Sequence, residues 1–200
     1  MLQRYLRGVK GAGCARCYNP TMTRRAPLPD LPGLPDILAP GLRLVFIGSN
    51  PSIRASETGH YYAHPGNRFY PLLLASGLTP RRLMPEEDIL LPTFGIGLTD
   101  LHARPSRRAD EVPDAVYRAG RERVIALLAR YRPCWLCCNG ARVCRNLTGA
   151  SGPVRYGPQA GSIAGCRLFV VPSTSGLNSA LTAARRDAFF ALAAAVRQPA

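Results

Sequence analysis

Lysine is nearly missing from this 200-residue chain: it occurs once, at Lys10, and the other 25 cations are arginines. A Schiff base needs an amine that can attack a carbonyl carbon, so chemistry of that kind has no lysine to use outside the N-terminal stretch. Acids are also scarce. The 12 Asp and Glu residues leave a net charge of +14, which points to a polyanionic partner, nucleic acid first. None of the apolar runs reaches the roughly 18–20 residues that a membrane span requires, and nothing near the N-terminus resembles a secretory leader. No membrane partner is expected, and a cytoplasmic location is. The glycine fingerprints of dinucleotide and P-loop sites, G-x-G-x-x-G and G-x-x-x-x-G-K-[ST], do not occur, nor does the G-x-S-x-G of a nucleophile elbow.

Metal-ligand patterns are thin. His60, His64 and His102 have no ligand-like spacing. Of seven cysteines, Cys14 and Cys17 are separated by two residues in "CARC", but no second such pair accompanies them nearby. A zinc or iron–sulfur site completed by two distant cysteines stays open; free thiols in a reducing compartment are the simpler expectation. Cys134, Cys137, Cys138 and Cys166 lie in the apolar runs "PCWLCCNG" and "CRLFVVPS" and read as small core hydrophobes. Neither a metal nor a cofactor is expected.

What is present suits one domain with a tail. The apolar fraction of 46% is ordinary for a chain that buries a core. Residues 1–35 carry six basic groups and one acid and end in "APLPDLPGLPD", a basic Pro/Gly-rich arm expected to be mobile. The folded unit is expected over 36–200, where twenty basic groups still outnumber eleven acidic ones. Four apolar runs read as buried strands: 42–47, about 94–101, 133–138 and 168–171. Helical spacing of apolar residues marks 66–77, 113–131, 140–149 and 178–198. Strand and helix alternate, which predicts a three-layer α/β/α domain with a mainly parallel sheet. In such sheets ligands bind at the carboxyl ends of the strands. The runs end in "GSNPS", "GLTD", "CCNG" and "VPSTSGLNS", four polar tips that a parallel sheet would bring to one edge.

These tips resemble the mismatch-specific uracil/thymine-DNA glycosylases, a branch of the uracil-DNA glycosylase superfamily. "GSNPS" (48–52) is similar to that family's G-I-N-P-G motif. The likeness continues in family order through "TGHYYAHPGNRFYPLLLASG" (58–77), "GIGLTDLHARPSRRADEV" (95–112), "CCNG" (137–140) and "VPSTSGLNSA" (171–180). It spans about 36–198.

The resemblance implies a monofunctional glycosylase acting in base-excision repair. Such an enzyme flips uracil, and in some cases thymine or a damaged pyrimidine, out of mismatched double-stranded DNA. It then hydrolyses the N-glycosidic bond. It works as a monomer, without a cofactor, and leaves an intact abasic site. A base inside a duplex is out of reach, so the pocket needs a stacking face, edge hydrogen bonds and a means of activating water. The resemblance puts Tyr62 under the flipped base and gives Asn50 the attacking water. Asn139 would bond the pyrimidine edge, Ser49 and Ser173 would line the substrate, and Leu177 would fill the vacated stack. Ser175, Gly176 and Asn178 around that wedge, and Arg68, would meet the DNA backbone.

Each of these residues also has a plain structural reading. Tyr62 could be a packed core residue, Asn50 and Asn139 turn residues, Leu177 a side chain under the following helix, and Arg68 a loop brace. Three positions depart from the family. Ser49 stands where Ile is frequent, Ser52 where Gly is, and Asp100 where relatives carry Asn or Lys. A carboxylate at that tip could take the proton of the water and stabilise a cationic sugar; it could also cap a turn or pair with Arg104. The alternative function is a nucleic-acid-binding protein that keeps the pocket without turnover. On either reading, binding to duplex DNA should weaken steeply with salt as arginine–phosphate contacts release counterions. A plot of log Kd against log salt tests this, and a flat line would contradict it.

Overall fold

The structure, a computed structural model, describes residues 30–176 and 182–198. Cys14, Cys17, Leu177 and Asn178 lie outside the described residues. Strands β1 (Leu44–Gly48), β2 (Ile96–Asp100), β3 (Trp135–Asn139), β4 (Gly157–Ile163) and β5 (Cys166–Val171) form one sheet in the order β2-β1-β3-β5-β4. The first four strands of that order run parallel, and β4 pairs antiparallel with β5 at the edge. Every residue of β1, β2 and β3 is buried, as expected for parallel strands covered on both faces.

Alternate side chains divide the core in two. Leu44, Phe46, Trp135 and Cys137 face one helical layer, with Phe69, Leu73, Phe189 and Leu192. Val45, Ile47, Leu136 and Cys138 face the other, with Tyr117, Val124, Leu128, Val143 and Leu147. The first layer holds α2 (Phe69–Ala75) and α6 (Thr182–Arg197). The second holds α3 (Asp114–Ala119), α4 (Arg121–Tyr131) and α5 (Ala141–Thr148). The result is the α/β/α sandwich that the alternating pattern predicts.

Five features differ from the sequence reading, the last of them a broken helix. The strand β4 was not expected, because "GPQAGSI" has no apolar run; it is an edge strand, largely exposed, turned back through Ala164 and Gly165 at φ of 48° and 80°. A short helix, α1 (Ile53–Thr58), follows β1, and Ser52 caps it: the Ala55 N–H donates to Ser52 Oγ at 3.1 Å. A 3-10 segment covers Pro85–Phe94. Cys134, read as a core hydrophobe, is exposed one residue before β3, while Cys137, Cys138 and Cys166 are buried as read.

The predicted helix over 113–131 is two helices that meet at Gly120. Gly120 is held at φ −76°, so its conformation is not what demands glycine. The demand is space: a Cβ there would fall inside the main-chain carbonyl of Leu101, the residue after β2. Gly120→Ala should therefore push on the β2 tip and destabilise the fold by about 1–3 kcal/mol, the usual range for overpacking. A thermal melt of the variant measures this, and an unchanged melting temperature would show that the carbonyl can move.

Candidate active site

The parallel strands bring the expected tips together. Register places Gly48 opposite Asp100, and Cys138 and Asn139 opposite Val170 and Val171. The carboxyl of Asp100 lies directly over the Cα of Gly48; a Cβ at Gly48 would overlap Asp100 Oδ1 and come within 3.5 Å of the Tyr62 hydroxyl. Glycine at 48 is what lets a carboxylate sit at this tip. Asp100 is 6% exposed. Burial, and secondarily the charge of Asp36, push its pKa up to about 7, against an opposing pull from Arg123.

Behind Asp100 the chain is tied down. Arg123 of α4 donates to the Asp100 carbonyl oxygen and pairs with Asp36 at 2.6 Å, while the Thr99 hydroxyl donates to Asp36. Arg104 is no partner of the carboxyl, and nothing in this geometry makes Asp100 a turn cap.

Asn50 follows β1, with its side chain gripped at both ends. Its Nδ2 donates to Ser106 Oγ at 2.8 Å and lies 3.0 Å from the Pro51 carbonyl and 3.3 Å from that of Arg104. Its Oδ1 accepts from the Tyr117 hydroxyl at 2.7 Å. A carbonyl oxygen has two lone pairs, so one remains for a water. Ser49 beside it is partly buried, and its carbonyl accepts from His102 N–H at 2.9 Å.

Tyr62 is partly buried and stacks on Phe69, with centroids 4.1 Å apart and 30° between planes. It adopts φ 57°, the left-handed region, which costs a non-glycine residue about 1–3 kcal/mol and is found where the surroundings impose it. The loop supplies that constraint. Tyr61 N–H donates to Asp88 at 2.9 Å, and the Tyr70 hydroxyl donates to the Tyr61 carbonyl at 2.8 Å. The Tyr62 hydroxyl is buried beside Asn139 without a well-formed hydrogen bond. Burial first, then the nearby Asp100, hold it protonated far above the usual tyrosine range.

Asn139, at the end of β3, is 7% exposed and makes a reciprocal pair with Thr174: its Nδ2 donates to Thr174 Oγ1 and its Oδ1 accepts from Thr174 N–H, both at 2.9 Å. That leaves one N–H and one lone pair for a base edge. Arg68 N–H donates to the Thr174 carbonyl at 2.9 Å, so the loop before α2 and the loop after β5 are joined through Thr174. Arg185, 3% exposed on α6, donates to the carbonyls of Ser173 and Ser175 at 2.6 and 2.7 Å. Ser173 and Ser175 are partly buried in this braced loop, and Gly176 is exposed. The Arg68 side chain is exposed and lines, with Arg185, Arg186 and Leu72, a groove of about 590 Å³ between α2 and α6.

The gathered set is thus Ser49, Asn50, Tyr62, Asp100, Asn139 and Ser173. Sequence reasoning missed Tyr117, Ser106, Asp36, Arg123 and Arg185, which hold them. Ser106 lies in the segment "RPSRR" and could have been flagged; the others look like ordinary loop or helix-face residues. Among the described residues no group of three or more His, Cys, Asp or Glu could hold a metal ion. No helix among them is long and apolar enough to cross a membrane.

Known structures share this arrangement of elements. The chain is similar to the solution NMR structure of a "putative Uracil DNA glycosylase" from Methanosarcina acetivorans, at 21% identity and a TM-score of 0.57, over 83% of this chain and 98% of that one. That likeness speaks to the fold. The model of the uracil DNA glycosylase superfamily matches residues 35–196, which takes in every strand and all the site residues named above. By that match, over a sheet whose four parallel tips carry the site, the chain belongs to the uracil DNA glycosylase superfamily.

Proposed function

We propose that this protein is a monofunctional DNA glycosylase that excises uracil, flipped from a G:U mismatch in duplex DNA, by hydrolysis of its N-glycosidic bond, as a step of base-excision repair. The observation that carries the reading is the Asp100 carboxyl, buried over Gly48 beside Tyr62 at the tips of the parallel strands. A flipped uracil stacks on Tyr62, whose ring rests on Phe69, with its edge toward Asn139. The bond breaks through a cationic sugar, which a fixed negative charge nearby stabilises more than it does the neutral ground state. Asp100 supplies that charge and accepts a proton from the attacking water. Asn50 orients the water with its remaining lone pair. Thymine and damaged pyrimidines opposite guanine are secondary candidates. The lack of lysine outside the arm fits hydrolysis that leaves the strand uncut.

Asp100 acts in its ionised form, so single-turnover cleavage of a G:U duplex should rise with pH through about 7 and level off above it. Asp100→Asn should bind DNA normally and cleave more slowly, on the order of 10²–10⁴-fold. Cleavage by this variant at the unmodified rate would sink the assignment, and no abasic product from the unmodified protein at any excess would sink the activity itself.

The same group has an opposite effect on stability. Its pKa is raised in the folded state, so the fold binds a proton that the unfolded chain has already lost, and stability falls as pH climbs from about 4 to about 7. Asp100→Asn should therefore melt several degrees higher than the unmodified protein at pH 8, and the difference should shrink steadily as pH is lowered toward about 4. A residue that merely capped its turn would show no such pH-dependent gain.

A further inference from the structure

Tyr117 is the largest buried group in contact with the site that the reaction above leaves unused. It is 1% exposed on α3, and its hydroxyl lies 2.7 Å from Asn50 Oδ1 and 2.9 Å from the Ala109 carbonyl. Both neighbours are acceptors, and a tyrosine has one proton to give. The competition is decided by a third residue. Arg142, on α5, packs its guanidinium 4.9 Å over the Tyr117 ring and donates Nη1–H to the same Ala109 carbonyl at 2.5 Å. Its Nη2 donates to the Val112 carbonyl and its Nε to Asp114, at 2.7 and 2.8 Å, which fixes it there. The Ala109 carbonyl thus keeps a donor whichever way the hydroxyl turns, whereas Asn50 Oδ1, the nearer acceptor, has no other donor among the described residues; the Tyr117 proton therefore goes to Asn50.

The other end of the Asn50 amide is equally one-way. Ser106 donates its hydroxyl proton to the Arg108 carbonyl at 2.9 Å, so its oxygen can only accept from Asn50 Nδ2. A flipped amide would set Oδ1 against the carbonyls of Pro51 and Arg104 and Nδ2 against the Tyr117 proton.

We propose that Tyr117 is a positioning residue for catalysis: its hydroxyl, kept free by Arg142, fixes the Asn50 amide with Oδ1 turned to Tyr117 and a single lone pair left to hold the attacking water. The inference rests on the water-orienting role proposed for Asn50. Tyr117 touches neither water nor sugar; it acts through the direction of one amide.

The test is a double-mutant cycle on single-turnover cleavage of a G:U duplex, recording both the rate at saturating protein and the half-saturating concentration. Tyr117→Phe keeps the ring and removes the proton. It should slow the saturated rate about tenfold, the worth of one hydrogen bond in a transition state, and leave half-saturation unchanged. In an Asn50→Ala background the same substitution should cost nothing further, because no amide remains to be oriented. Arg142→Met, which keeps packing on the ring, should slow the saturated rate in the same direction, and that loss should also vanish with Asn50→Ala; it carries the test if Tyr117→Phe folds poorly. An unchanged rate for Tyr117→Phe, or losses that multiply fully in the double variant, would overturn the inference while leaving Asn50 its role. Asn50→Ala at the unmodified rate would overturn both.

Discussion

Placing a carboxyl group inside a protein, away from water and without a counter-charge in contact, is unfavourable, and the tip of β2 is built around doing so. Gly48 makes room, because any side chain there would occupy the place of Asp100 Oδ1. Asp36 and Arg123 set the balance of charge behind it, the first opposing ionisation and the second favouring it. The parallel register of β1 and β2 brings glycine and carboxylate opposite each other. The energetic cost of that burial is what leaves the group poised near neutrality, where a base is most useful to an enzyme. The stability lost by burying the group and the catalytic role proposed for it thus meet at a single residue.

Around this centre the strand-end loops are stitched both to each other and to the helices of the two layers. Thr174 is the main knot, joined to Asn139 by two hydrogen bonds and to Arg68 by a third, while Arg185 reaches up from α6 to the carbonyls on either side. A second knot runs from Arg142 through Tyr117 to Asn50 and Ser106. Each uses buried polar groups whose partners are satisfied, the arrangement that specifies one geometry rather than an ensemble. The roles proposed for Asn50 and Asn139, holding a water and a base edge, require such support.

The strand tips that carry the candidate site are legible in the sequence where they follow short buried runs: an apolar run that stops in "GSNPS" or "GLTD" announces a tip. The same signal gave the four parallel strands and the two covered faces. Residues that act from a distance left no such mark. Tyr117 meets Asn50 across 67 positions and Arg142 meets Ala109 across 33, and each sits in an amphipathic helix where tyrosine and arginine are unexceptional. Strand β4 escaped because an exposed edge strand needs only hydrogen bonding to β5, which "GPQAGSI" supplies without hydrophobic patterning. The break at Gly120 escaped because the carbonyl that forbids a side chain belongs to Leu101, outside the helix pattern altogether.

The strand order has a consequence for how the chain reaches its native state. Leu44 of β1 pairs on one side with Ile96 and on the other with Trp135, so this interior strand waits for partners that follow it by long stretches of chain. Loop-closure entropy must be spent before these contacts stabilise anything, which makes such topologies slow to fold. Until β3 docks, Asn50 and Asn139 have no common edge to share. A nascent or partly folded chain therefore carries its excess of arginine without the assembled tips: its charge is in place before its site is.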